Sequence, residues 1–188
     1  MRTLSIRKVP SLVPGLSGYT QRDVRFRNMG EEAQYLRRLV DQFSSDLALK
    51  EFALQIIRDA GAAPRAEVDQ ALAIGSWVQQ NIYYVHETRE TFQSPHITLR
   101  MKAGDCDKHA VLICAMLGTI GIRNKLCILK INGHWAHIFA VALCAQDGEA
   151  HRLTLDSTLD PARYPIDSFT NPIALAKARG DRVEPLIV

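Results

Sequence analysis

The stretch Ala103-Gly104-Asp105-Cys106-Asp107-Lys108-His109-Ala110-Val111-Leu112-Ile113-Cys114-Ala115-Met116-Leu117 decides the reading of this chain. From Ala110 to Leu117 every residue is apolar, and the charged and imidazole side chains, Asp105, Asp107, Lys108 and His109, crowd the first turn. A helix that is apolar all round belongs inside a core, so Cys106 is expected at a fixed, buried helix N-terminus. Exposed N–H groups and the helix dipole there favour a thiolate. Asp105 is placed as the N-cap, accepting from one orphan donor and leaving the others to face an anion. A buried cysteine is otherwise a small hydrophobe, so the helix alone leaves the role of Cys106 open.

The residues C-terminal to the helix narrow that role. Gly121 stops the helix, and three β-favouring runs come next: Leu126 to Ile131, Trp135 to Leu143, and His151 to Asp156. The dipeptides Asn132-Gly133 and Asp147-Gly148 between them read as hairpin turns, so the strands are antiparallel. With Asp147-Gly148 at the centre of a two- or four-residue loop, Phe139 lies opposite Asp156. His137 shares the face of Phe139 and becomes a diagonal neighbour of Asp156, with Cβ atoms roughly 7–8 Å apart. If the Cys106 helix packs on that face, the three form a Cys–His–Asp relay.

These residues resemble a family. Ala103-Gly-Asp-Cys-Asp-Lys-His-Ala-Val-Leu-Ile113, then Gly121-Ile-Arg, a strand histidine, and Leu155-Asp-Ser-Thr158 look like the motifs of the transglutaminase-like superfamily. The resemblance runs from about Val68 to Leu159. It implies an α+β, papain-like transglutaminase core, in which a central helix bearing the cysteine packs on an antiparallel sheet with helices N-terminal to it. It also implies Cys106 as nucleophile, His137 as general base and acid, and Asp156 as the group that fixes the imidazole tautomer. Papain-like folds put one cleft wall in the polar segment 87–102, read here as a loop, and Gln93 is the candidate there to donate to an oxyanion beside the Cys106 N–H.

Other residues compete for these roles. His134 flanks the Asn132-Gly133 turn and has the opposite strand parity to Asp156, so His137 is preferred as the base. His109, three residues from Cys106, is expected to be a hydrogen-bonded structural histidine. Cys106, His109, His134 and His137 superficially suit a zinc site, but regular strand alternation would separate His134 from His137. Neither a metal nor a cofactor is therefore expected.

The N-terminal half reads as helical support. Apolar residues recur from Leu36 to Ile57, with a break at Ser44-Ser45-Asp46 and a stop at Gly61. A further helix over 63–81 has Val68, Leu72, Trp77 and Val78 as its inner stripe. After residue 170 the sequence predicts a short helix from Pro172 to Ala178 and an extended end, Val183 to Val188. Residues 1–28 differ in kind, with six basic residues (Arg2, Arg7, Lys8, Arg22, Arg25, Arg27) against the single acid Asp23. This arm contains Pro10, Pro14, Gly15 and Gly18, and it is read as an extended segment that wraps the domain or docks on a protein partner. It lacks the interleaved aromatics of a nucleic-acid stacking platform, so nucleic acid is not the expected partner. Residues 29–188 form the expected single domain.

The chain's 47% apolar and 23% charged residues fit an ordinary globular protein. Cys114, Cys127 and Cys144 sit in apolar runs and read as reduced core thiols. With no apolar leader and no run long enough to span a membrane, cytoplasmic synthesis is expected; a phage-encoded or particle-associated origin would leave the same absence. The expected activity is cysteine-dependent acyl transfer on a peptide or carboxamide, by hydrolysis (protease, amidase or deamidase) ahead of transglutaminase cross-linking. A non-catalytic interaction or assembly module on the same fold is the alternative of another class.

Overall fold

The computed structural model describes residues 2–3, 25–86, 92–160, 162 and 171–188. Strands β1 (Arg2–Thr3) and β2 (Arg25–Phe26) pair antiparallel; residues 1 and 4–24 of the basic arm lie outside the described residues. Helix α1 (Met29–Phe43) is capped by Asn28, whose side chain accepts from Glu31 N. It ends where Ser44-Ser45-Asp46 predicts, and Asp46 caps α2 (Leu47–Asp59) by accepting from Leu49 N at 2.8 Å. Helix α3 spans Glu67–Asn81, starting later than expected because residues 64–65 form a turn with Arg65 at φ 66°. Its buried stripe is Ala71, Ile74 and Val78; Val68, Leu72 and Trp77 are only partly buried, a correction to the stripe expected from the sequence.

The segment 87–102 is not all loop. Strand β3 (Tyr83–Tyr84) pairs in parallel with β4 (Ala103–Gly104), and α4 (Pro95–Met101) fills the space between. Ser94 precedes α4 and Pro95 sits at its first position, where the missing N–H costs nothing. A seven-residue helix is too short to show apolar periodicity, which is why pattern alone missed it.

Helix α5 (Cys106–Thr119) is the centre of the molecule, with Ala110 to Leu117 all buried. Strands β5 (Arg123–Ile131), β6 (His134–Gln146) and β7 (Glu149–Leu155) come next as two hairpins; after α6 (Pro172–Ala178), β8 (Val183–Ile187) joins the free edge of β5. The sheet order is β7-β6-β5-β8, antiparallel throughout. Both turn dipeptides have φ above zero at both residues, the signature of type I′ turns, which Asn-Gly and Asp-Gly sequences favour. Ala140 pairs with Leu155, so the β6–β7 register is the one expected from the Asp147-Gly148 turn.

One expectation about faces fails. Helix α5 packs, with α1–α3, on the sheet face formed by Leu126, Ile128, Ile138, Ala140, Ala142, Leu153 and Leu155. Phe139, Val141, Cys127 and Leu129 lie on the opposite face, packed with Val183 of β8 and Ile173 of α6, and His137 has their parity. It is therefore the end of the sheet, not its α5 face, that brings Cys106 and His137 together. There Leu129 pairs with His137 but Lys130 with Trp135, so Ala136 is an extra residue on β6. Such a bulge breaks the ladder and re-aims neighbouring side chains.

Candidate active site

Cys106 is the first residue of α5, half-buried at the floor of a cleft of about 230 Å³. Its position is set by the β3–β4 pair, in which Tyr83 N donates to Lys102 O at 2.8 Å and Val85 N to Gly104 O at 2.9 Å. Gly104 is required by packing. A Cβ there would lie 2.7 Å from Lys108 Cβ, closer than van der Waals contact allows.

Asp105 occupies the N-cap position, but its side chain makes no capping hydrogen bond, contrary to expectation. Lys108, only 1% exposed, takes it instead: Nζ lies 2.8 Å from Asp105 Oδ1 and 3.3 Å from Asp107 Oδ1. A buried ammonium needs paired carboxylates more than a helix end needs a cap. Burial and the neighbouring Asp105 push the Asp107 carboxyl well above the usual carboxylate range. Asp105 moves down, because hydrogen bonds from Asp107 and Lys108 outweigh its own burial. The pair is thus driven apart, the proton favouring Asp107 and the negative charge favouring Asp105 beside Lys108.

His137 Nε2 lies 2.7 Å from Asp156 Oδ2, and the ring lines the same cleft as Cys106, close enough for the sulfur to act on its protonation. Burial opposes a charged ring, yet the hydrogen bonds and negative charges of Asp156 and Cys106 prevail and raise His137 to about 10. Asp156 is 3% exposed. Its burial is offset by His137 and by Thr158, whose N–H and hydroxyl donate to Oδ1 at 3.1 and 2.7 Å, so its carboxyl is held below the usual range. The structure thus brings Cys106, His137 and Asp156 together. It does not bring Gln93, whose Nε2 faces Ala103 O at 3.5 Å and which does not line the cleft.

His134 is exposed beside the turn. The bulge at Ala136 means that odd–even counting does not carry from His137 to His134, so exposure, not parity, is what sets them apart. Among the described residues no group of three or more His, Cys, Asp or Glu side chains is arranged to hold a metal ion. The cleft walls are Met29, Glu32 and Leu36 of α1 on one side and Tyr84, His86 and Trp135 around the mouth. Tyr84 escaped the sequence reading because the parallel β3–β4 pairing that sets it beside Gly104 leaves no local signal. Burial, then the charges of Cys106 and Asp105, raise its phenol and keep it a donor.

The family model of the transglutaminase-like superfamily matches residues 53–154, more than half of the chain. The chain belongs to the transglutaminase-like superfamily. Among solved structures, a protein described as a "putative protease" from Parabacteroides distasonis superposes with a TM-score of 0.53 at 16% identity, covering 68% of this chain and 26% of that one. A "putative cysteine protease" from Cytophaga hutchinsonii gives a TM-score of 0.47 at 17% identity, covering 79% of this chain and 56% of its own. The chain thus spans about a quarter and just over half of these two proteins. No curated protein matches. The first of these similarities shows the shared papain-like transglutaminase fold, and membership of the family supports a cysteine-based enzyme in general terms. No helix among the described residues is long and apolar enough to cross a membrane.

Proposed function

We propose that this transglutaminase-like chain is a cysteine hydrolase acting on a peptide or carboxamide, with Cys106 as nucleophile, His137 as base and then acid, and Asp156 as the orienting carboxylate. The observation that carries this reading is the His137 ring, bonded at Nε2 to buried Asp156 and set beside Cys106 in the open cleft that both line. The sulfur attacks the carbonyl carbon, the C–N bond breaks, and His137 returns the proton to the leaving nitrogen. Water, deprotonated by the same ring, then opens the thioester and releases the acid. A charge-assisted hydrogen bond is worth about 1.5–3 kcal/mol against about 0.3–1 kcal/mol for a helix terminus. His137 is thus the dominant partner of the nucleophile.

The Cys106 N–H and the Tyr84 hydroxyl are the donors offered to the oxyanion, in place of Gln93. Hydrolysis is favoured over cross-linking because Tyr84 and Trp135 at the mouth are 49% and 39% exposed, leaving the thioester open to water. The test is to supply glutaminyl peptides with and without a fluorescent primary amine. Glutamate formation that is abolished in Cys106→Ala and undiminished by the amine supports hydrolysis, since ammonia leaves at acylation in either reaction. Amine incorporation exceeding glutamate formation would make the chain a cross-linking enzyme, and turnover in Cys106→Ala would remove the nucleophile.

A further inference from the structure

His109 is a buried imidazole that the proposed reaction does not use. It lies on α5 one turn beyond Cys106 and is 1% exposed. Its Nδ1 is 2.9 Å from the hydroxyl of Ser157, also buried, and Ser157 directly succeeds Asp156 in the chain. The ring stands edge-on to Tyr84 with centroids 6.3 Å apart. Nε2 is enclosed near the backbone of Tyr83, without a hydrogen-bond partner among the described residues. A single ring thus touches the nucleophile's helix, the turn that presents Asp156 and the wall that carries Tyr84.

The fold needs such a tie. The apolar contacts of α5 lie on one sheet face, while His137 has the parity of the other. Core packing of the helix therefore does not by itself fix the distance between Cys106 and the Asp156 turn. Burial disfavours a charge on His109 more than Tyr83 and the nearby Asp156 and Asp105 favour one, so the ring acts as a neutral link.

We propose that His109 is a positioning residue: through Ser157 it locks the nucleophile's helix to the turn bearing Asp156, and so sets the approach of Cys106 to His137. This rests on the hydrolase reading above. A misplacement of about 1 Å can cost on the order of 100-fold in rate, and loss of one link is expected to cost about tenfold.

The experiment compares the full chain with its His109→Ala, His109→Asn, Ser157→Ala and doubly substituted (His109→Ala, Ser157→Ala) forms. Three properties are read: the rate of Cys106 alkylation by iodoacetamide, the downfield imidazole N–H proton resonance of His137, and the melting temperature. Ser157→Ala removes a hydroxyl and little volume, which guards against a variant that merely fails to fold. Expected are about tenfold slower alkylation and a shifted His137 resonance in both single alanine variants. The double variant should be no slower than either, and Asn, which offers a donor near the Nδ1 position, should restore part of the rate. Wild-type alkylation and an unshifted resonance in Ser157→Ala would overturn the proposal, as would a loss that tracks melting alone and is not restored by Asn. An inert Cys106 in the wild type would sink the hydrolase reading and this inference together; a reactive wild type with unaffected variants sinks only the inference.

Discussion

Replacing Gly104 by alanine strikes the point where backbone, buried charge and nucleophile meet. The added Cβ would sit 2.7 Å from Lys108 Cβ and 3.1 Å from its Cδ, whereas favourable carbon contacts lie at about 3.5–4.0 Å. Neither partner can yield cheaply. Gly104 is held by the β3–β4 hydrogen bonds, and Lys108 Cβ is fixed to the first turn of α5, whose ammonium is pinned between Asp105 and Asp107. Relief requires opening the strand pair or displacing the turn that starts with Cys106. Overpacking of this kind costs about 1–3 kcal/mol, or roughly 3–10 °C in melting temperature at this chain length. Calorimetry on Gly104→Ala should show that loss, and iodoacetamide should label Cys106 more slowly. Gly118→Ala is the control: its Cβ meets Ser44 Cβ at 2.7 Å at the far end of α5, so it should destabilise without slowing the thiol. A Gly104→Ala protein that melts within a degree or so of wild type and labels at the same rate would refute the reasoning.

The charged and buried groups around α5 carry two further expectations. Because His137 is raised from 6.5 to about 10 in the folded chain, its contribution to stability is complete below the unfolded value and is lost as pH rises through about 10. Asp156, held low, contributes above its ordinary range and loses that contribution only in acid. The urea-unfolding difference between wild type and His137→Gln should be on the order of a few kcal/mol near pH 6 and shrink toward pH 10; a difference that grows with pH would contradict it. Cys114→Asp buries an unpaired charge at a fully enclosed position and should cost more than about 4 kcal/mol. Cys106→Ala should melt within about 1 kcal/mol of wild type, and circular dichroism melts of the two variants distinguish these outcomes.

The legible parts of this chain were those governed by local rules. Eight consecutive apolar residues predict a core helix, and α5 is one. Asp147-Gly148 predicts a two-residue hairpin, and that turn alone sets Phe139 opposite Asp156. The parts that were not legible depend on non-local geometry. The parallel pairing of Tyr83-Tyr84 with Ala103-Gly104 joins segments about twenty residues apart and makes Tyr84, not Gln93, a cleft residue. The bulge at Ala136 has no glycine to announce it, yet it lies where the cysteine and histidine meet. The burial of Lys108 has no signature among the first-turn charges, yet it draws Asp105 away from its capping role. The helix-face assumption failed because period-two counting gives the face of a side chain but not which face a distant helix covers.

The central claim, that Cys106 is the nucleophile prepared by His137, is tested most directly by the order in which the four thiols react. Burial pushes Cys114 up to about 12 and Cys127 and Cys144 up to about 11, leaving Cys106 as the half-buried thiol beside an imidazole. Timed iodoacetamide labelling of the folded protein at neutral pH, read by peptide mass spectrometry in wild type and His137→Ala, gives that order. Cys106 should be labelled first, and on the order of tenfold or more slowly once His137 is removed. Faster labelling of Cys114, Cys127 or Cys144, or a Cys106 rate indifferent to His137, would contradict that claim.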